Sequence, residues 1–107
     1  MPLYLSRFSY TPDAISAMVK NPQDRAKVAG DAAESLGIKL LGFWYALGEF
    51  DGVLLAEAPD NAAVAGLAML VGGSGALSKF ETTPLLTMDE AQEAMRKAGG
   101  AAYRPPS

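Results

Sequence analysis

The middle of the chain carries the pattern that most restricts its fold. Residues 38–47 are rich in apolar and aromatic side chains, and residues 52–58 form a second apolar run. The turn between them includes Gly48, which tolerates positive φ, and Asp51, which can accept backbone hydrogen bonds. Two such runs joined by a short turn predict a β-hairpin. The remaining segments must then supply the strands and helices that bury this hairpin.

The segment before the hairpin predicts a strand followed by an interrupted helix. Residues 3–10 alternate as a strand does, and Thr11 followed by a proline and an acid is a typical helix start. Pro22 should break the helix, because proline removes a backbone donor and restricts the residue before it. Gly37 is placed to end the second helical segment. We expect Ile15, Met18 and Val19 of the first helical segment to face the sheet.

The segment after the hairpin repeats this order. Asp60 or Asn61 is placed to cap an alanine-rich helix over residues 61–71. A glycine-rich segment then leads to a strand over residues 76–85. Thr87 and Glu90 have the spacing of a capping box that opens a last helix. The element order is therefore β-α-β-β-α-β with one additional helix.

This order predicts an α+β, ferredoxin-like fold. The usual connection rules give a four-stranded antiparallel sheet with both crossover helices on one face. The chain length suits one domain, which we place at residues 1–98. Residues 99–107 contain two prolines and are predicted to be a tail, either mobile or lying on a neighbour.

Composition narrows the classes of function. The net charge of −3 and the lack of a Lys/Arg cluster argue against nucleic acid as a partner. The chain has no cysteine and no histidine, which excludes disulfides, thiolate nucleophiles, a Ser-His-Asp triad and histidine metal ligands. We therefore expect no metal and no cofactor. Neither a signal peptide nor a membrane-spanning run is indicated, so a cytoplasmic protein with no membrane contact is expected.

Strand parity predicts that one sheet face lacks a cover. Alternation assigns a mainly apolar set to the helix side: Tyr4, Phe8, Leu40, Trp44, Leu54, Ala56 and Phe80. The other face is too apolar to be left in water: Leu3, Leu5, Arg7, Leu41, Phe43, Tyr45, Val53, Leu55, Glu57, Leu77, Lys79 and Glu81. A two-fold dimer that packs sheet on sheet would cover it, and the alternative cover is the last helix or the tail.

The hairpin sequence resembles a known family. The segment from Leu41 through Gly48-Glu49-Phe50-Asp51 to Glu57-Ala58-Pro59-Asp60 is similar to the GYD family, small uncharacterised bacterial proteins named for a Gly-x-Tyr-Asp signature. The resemblance covers nearly the whole chain and implies a homodimeric α+β barrel. Phe50 stands where the signature has tyrosine, so a role for that hydroxyl is in doubt while a packing role for the ring survives.

A few aromatic and acidic residues are candidates for a ligand site. The candidates are Phe8, Trp44, Tyr45, Glu49, Asp51 and Phe80. The aromatic residues would line a pocket between sheet and helices or face a dimer cavity, with an ordinary core as the alternative. The two acids lie on the turn, where a purely structural role is the alternative to a ligand role.

The sequence predicts a function only in outline. We expect a homodimeric GYD-type protein that binds a small apolar or aromatic molecule, with no catalysis indicated. One alternative, by analogy of fold, is a cofactor-independent monooxygenase or isomerase. The other is a protein interaction or assembly module. Whether the chain is an enzyme stays open at this point.

Overall fold

The structure is a computed structural model that describes all 107 residues. The strands are β1 (Leu3–Tyr10), β2 (Lys39–Tyr45), β3 (Gly52–Glu57) and β4 (Leu77–Leu85). The helices are α1 (Pro12–Lys20), α2 (Arg25–Glu34), α3 (Asn61–Gly72) and α4 (Met88–Gly99). None of these helices reaches the length and apolar character of a bilayer-spanning segment.

Local capping explains where the helices begin. Thr11 and Asp60 accept backbone N–H groups at the starts of α1 and α3, which satisfies donors that have no partner within the helix. Thr87 and Glu90 form the predicted capping box at the start of α4. Gly37 has a φ of 73°, the left-handed conformation that lets the chain leave the second helical segment and enter β2.

The strands form one antiparallel sheet in the order β2-β3-β1-β4. This confirms the predicted α+β class and four-stranded sheet. The helix side of the sheet holds the core together with α2 and α3. Its buried members are Tyr4, Phe8, Ala33, Ile38, Leu54, Ala56, Ala58, Val64 and Leu67. We call the opposite side of the sheet the open face.

Two bulges change which side chains face the helices. The pairing of β2 with β3 skips Leu41, so Phe43 lies opposite Leu54 on the helix side and Trp44 turns to the open face. The pairing of β1 with β4 skips Ser78, so Leu77 lies on the helix side as well. The predicted faces were therefore wrong for Phe43, Trp44, Tyr45 and Leu77, because strict alternation cannot register an extra residue.

The first and last helices contribute no buried residue. Ile15 and Val19 of α1 are exposed, so the prediction that they face the sheet was wrong. In α4, Met88 and Met95 are also exposed. The radius of gyration is 17.4 Å, whereas a compact chain of this length has about 13 Å. The molecule is thus elongated and carries two helices, α1 and α4, that add no buried residue to its core.

Candidate functional site

An apolar cavity lies between the helix side of the sheet and helices α2 and α3. Its volume is about 100 Å³, and 15 of its 17 lining residues are hydrophobic. Two of the candidate residues, Phe8 and Phe80, line it, together with Tyr10, Phe43 and Leu67. The cavity exists because the alanines that α2 turns towards the sheet are too short to fill the space above it. Whether Phe8 and Phe80 bind a ligand stays a prediction.

Four aromatic rings form one end of this region. Phe8 packs against Tyr10 and Phe43 with ring centroids 5.3 and 5.4 Å apart. Tyr45 packs edge to face on Tyr10 at 6.0 Å and on Phe43 at 5.5 Å. Tilted and edge-to-face contacts of this kind are the preferred geometry of aromatic pairs. Phe8, Tyr10 and Phe43 therefore form an aromatic wall of the cavity, and Tyr45, which is 57% exposed and does not line the cavity, packs against this wall.

The two tyrosines carry polar groups at this wall. The Tyr10 and Tyr45 hydroxyls lie 3.1 Å apart, and the Tyr45 hydroxyl lies 3.9 Å from Sδ of Met18. Burial raises the pKa of the Tyr10 phenol above its ordinary value, and the hydrogen bond to Tyr45 adds to the rise. Tyr10 therefore stays protonated at neutral pH. It can donate or accept a hydrogen bond there, but it is not a general base.

Trp44 lies outside the cavity. It is paired with Val53 on the open face and is 56% exposed, so its predicted place among the helix-side rings was wrong. Its indole covers Gly42, where an added Cβ atom would collide with the six-membered ring of the indole. Only glycine fits beneath the indole in this position.

Sequence reasoning missed Tyr10 and Phe43 as lining residues. For Phe43 a usable signal was present, since Gly42 interrupts an otherwise apolar and aromatic strand, and a glycine in a strand often marks a bulge. A bulge at this point would have put Phe43 and Tyr45 on the helix side together. Tyr10 shares its face with Phe8 by simple alternation and was overlooked at the strand end.

The hairpin turn holds its two carboxylates in different roles. The Asp51 carboxylate accepts the backbone N–H of Tyr10 at 2.9 Å, next to the bulge between β1 and β4. The Asp51 backbone N–H donates to the Phe8 carbonyl at 2.8 Å, which extends the β1–β3 ladder. Glu49 instead forms an exposed ion pair with Lys79 at 3.5 Å. The two acids therefore do not converge, and no group of three or more potential metal-ligating side chains is present.

We expect Asp51→Ala to lower the free energy of unfolding by about 1–2 kcal/mol, because the half-buried Tyr10 N–H loses its acceptor. Asp51→Asn keeps an acceptor oxygen and should cost less. Glu49→Ala removes an exposed ion pair and should change stability by less than about 0.5 kcal/mol. Urea unfolding measures all three. Equal stability of Asp51→Ala and the parent protein would contradict the structural role.

Phe50 connects the turn to the open face. The residue is only 8% exposed, and its ring lies under two cations, Arg7 at 4.6 Å and Lys79 at 5.1 Å from the centroid. Cation–π contacts of this kind stabilise a ring at a surface without any hydroxyl. Arg7 also pairs with Glu81 at 3.3 Å, an ion pair across the predicted charged positions of this face. The burial of the Phe50 ring and its two cation contacts therefore match the packing role expected for it.

Solved structures with the same fold are only distantly related in sequence. A Thermus thermophilus protein, TTHA0845, superposes with a TM-score of 0.55 at 14% identity, covering 81% of this chain and 95% of that one. An uncharacterised NIPSNAP domain protein from Burkholderia xenovorans gives 0.50 at 14%, with 81% and 94% covered. The Neisseria meningitidis transcriptional regulator NMB0573, solved as a complex with L-Met, gives 0.50 at 17%, with 81% and 51% covered. These likenesses establish the fold alone.

The family assignment comes from the sequence match. No curated protein matches the chain. The family model described as GYD domain matches residues 4–95, which include nearly the whole sheet, helices α1 to α3 and the hairpin turn. The fold and this match agree with the resemblance seen in the hairpin sequence. The chain therefore belongs to the GYD domain family.

Proposed function

We propose that this protein is a homodimer that binds one small apolar or aromatic molecule between its sheet and helices. The observation that carries the proposal is the cavity of about 100 Å³ with its nearly continuous hydrophobic lining. An apolar cavity of about 150 Å³ is large enough to bind benzene. The cavity here is smaller, so its volume limits the enclosed part of a ligand to at most about one ring or a short carbon chain.

The chemistry of the lining favours binding over catalysis. The cavity has no acidic residue and no residue that can act as a base at neutral pH, because Tyr10 stays protonated. A cofactor-independent oxygenase or isomerase needs a group that moves a proton. The Neisseria regulator of the same fold is described as a complex with L-Met, which supports small-molecule binding as a use of this fold but not as a property of this chain.

Cavity filling offers a test of the ligand proposal. We expect Ala32→Leu to abolish binding of benzyl alcohol while leaving the free energy of unfolding unchanged or raised, because the longer side chain occupies empty apolar space. Ala65→Leu is the matched control, since Ala65 is exposed on α3 and does not line the cavity. Calorimetric titration measures binding. Unchanged affinity in Ala32→Leu would place the ligand elsewhere or show that this cavity binds none.

The open face supports the homodimer. Only 12 of the 107 residues are buried, and the open face leaves Leu3, Leu5, Val53 and Leu55 half-buried beside the exposed Trp44. Contiguous apolar surface of this kind marks an interaction site. Of the charged residues around it, Arg7 pairs with Glu81 and Lys79 with Glu49, while Glu57 lies opposite Lys39 in the strand register. Positive and negative charges are therefore equal in number, so the face offers no net charge to select an oppositely charged partner.

A second copy of the chain suits this surface best. An isologous contact places the same apolar patch on both sides and needs no complementary charge. Helix α4 supplies further unused apolar surface through Met88 and Met95, next to Leu86 at the end of β4. The dimer therefore explains both the uncovered sheet and the elongated shape. A protein interaction module remains the alternative if the chain is monomeric and captures a different protein on this face.

A further inference from the structure

The cavity is apolar except at two residues. Among its 17 lining residues only Arg25 and Ser74 are neither hydrophobic nor aromatic. The Ser74 hydroxyl already forms two hydrogen bonds within the protein. It donates to the Val71 carbonyl at 2.6 Å and accepts from the Ala76 N–H at 3.2 Å. The Tyr10 hydroxyl is hydrogen-bonded to that of Tyr45, so Arg25 is the lining residue that offers a ligand a charged group.

The Arg25 guanidinium is largely unpaired. Arg25 is the first residue of α2 and is half-buried. Its Nη1 donates to Oε1 of Gln23 at 3.0 Å, and that is its one hydrogen bond within the protein. The four ion pairs of the molecule involve Arg7, Lys27, Lys79 and Arg96, so no carboxylate neutralises Arg25. A guanidinium carries five N–H donors in a planar fork that matches a carboxylate.

Asp24 and Asp51 each accept a backbone N–H group, and neither forms an ion pair with Arg25. Asp24 caps α2 by accepting the Ala26 N–H at 2.9 Å, and Asp51 accepts the Tyr10 N–H. Arg25 interacts electrostatically with the Tyr10 phenol. Burial nevertheless raises the pKa of this phenol, so Tyr10 supplies no negative charge at neutral pH. A single cation thus borders an apolar cavity in which no protein anion is available to meet it.

We propose that the cavity takes a small apolar carboxylic acid in its ionised form, with the ring or chain among the apolar side chains and the carboxylate on Arg25. This inference rests on the proposed binding function and adds the chemical class of the ligand. The hydroxyl of Tyr10, the other polar group in the lining besides Ser74, is hydrogen-bonded to Tyr45.

The test compares two probes of similar size, benzoate and benzyl alcohol, by calorimetric titration of the full chain at pH 7. We expect benzoate to bind at least about tenfold more tightly, because a charge-assisted bidentate contact is stronger than a neutral hydrogen bond. Arg25→Gln should remove this preference, because the affinity for benzoate falls to about that for benzyl alcohol. Arg25→Lys should keep part of it, since the charge remains but the planar fork is lost.

Lys27→Gln is the matched control, because it removes the same charge from the same helix at an exposed side chain outside the cavity. It should leave both affinities unchanged. Equal affinities of the parent protein for benzoate and benzyl alcohol would overturn this inference while the proposed function stands. A loss of the preference in Lys27→Gln as large as in Arg25→Gln would also overturn it. Failure of both probes to bind would overturn the proposed function and this inference together.

Discussion

Gly52→Ala is expected to lower the free energy of unfolding by about 2–3 kcal/mol, one of the largest effects of any single methyl group in this chain. A Cβ at this position would collide with Cζ of Phe8 and lie 2.8 Å from two further ring atoms. Phe8 is 3% exposed and packs against Tyr10 and Phe43, so its ring cannot move aside without disturbing both. Overpacking of a core costs energy of this order.

Urea or thermal unfolding measures this change. Gly72→Ala is the control, because a Cβ at the end of α3 would meet no atom within 4 Å and alanine favours a helix. It should be neutral or slightly stabilising. If Gly52→Ala were as stable as the parent protein, Phe8 would have room to shift, and the aromatic wall of the cavity would not be rigid.

Leu5→Glu is expected to weaken the proposed dimer by at least about 100-fold in dissociation constant. Leu5 lies on central strand β1, paired with Leu55 on one side and Thr83 on the other, in the middle of the open face. A glutamate there would be buried without a partner in a sheet-on-sheet dimer, which costs several kcal/mol. In the monomer the same side chain reaches water, so the fold should survive.

Sedimentation at micromolar concentration separates these states, and circular dichroism checks that the variant is folded. Leu70→Glu is the matched control, since Leu70 is 55% exposed on α3 in the helix layer, away from the open face. It should remain dimeric. A dimer unaffected by Leu5→Glu would show that the open face is not the interface, and a monomeric parent protein would refute the dimer itself.

The sequence was informative wherever structure depends on neighbouring residues. Thr11, Asp60 and the Thr87–Glu90 pair cap their helices as predicted, because capping needs only the residue and the next few backbone amides. The order of strands and helices also followed from local patterns and connection rules. The fold class was therefore predictable without any homologue.

The candidate site was less predictable because its residues are brought together by long-range pairing. The extra residue Leu41 sends Phe43 and Tyr45 to the helix side and Trp44 to the open face, and the bulge shows only in the register against β3. The sequence also contained no indication that the Arg25 guanidinium would be left without an ion pair. Its availability depends on which carboxylates are engaged elsewhere, a property of the folded chain alone.

Native mass spectrometry of the freshly purified protein tests whether two copies of the chain hold a small apolar molecule. We expect a particle of two chains with a retained small molecule that is absent from Ala32→Leu. A particle of one chain that carries no small molecule and binds neither benzoate nor benzyl alcohol when they are added would contradict this expectation.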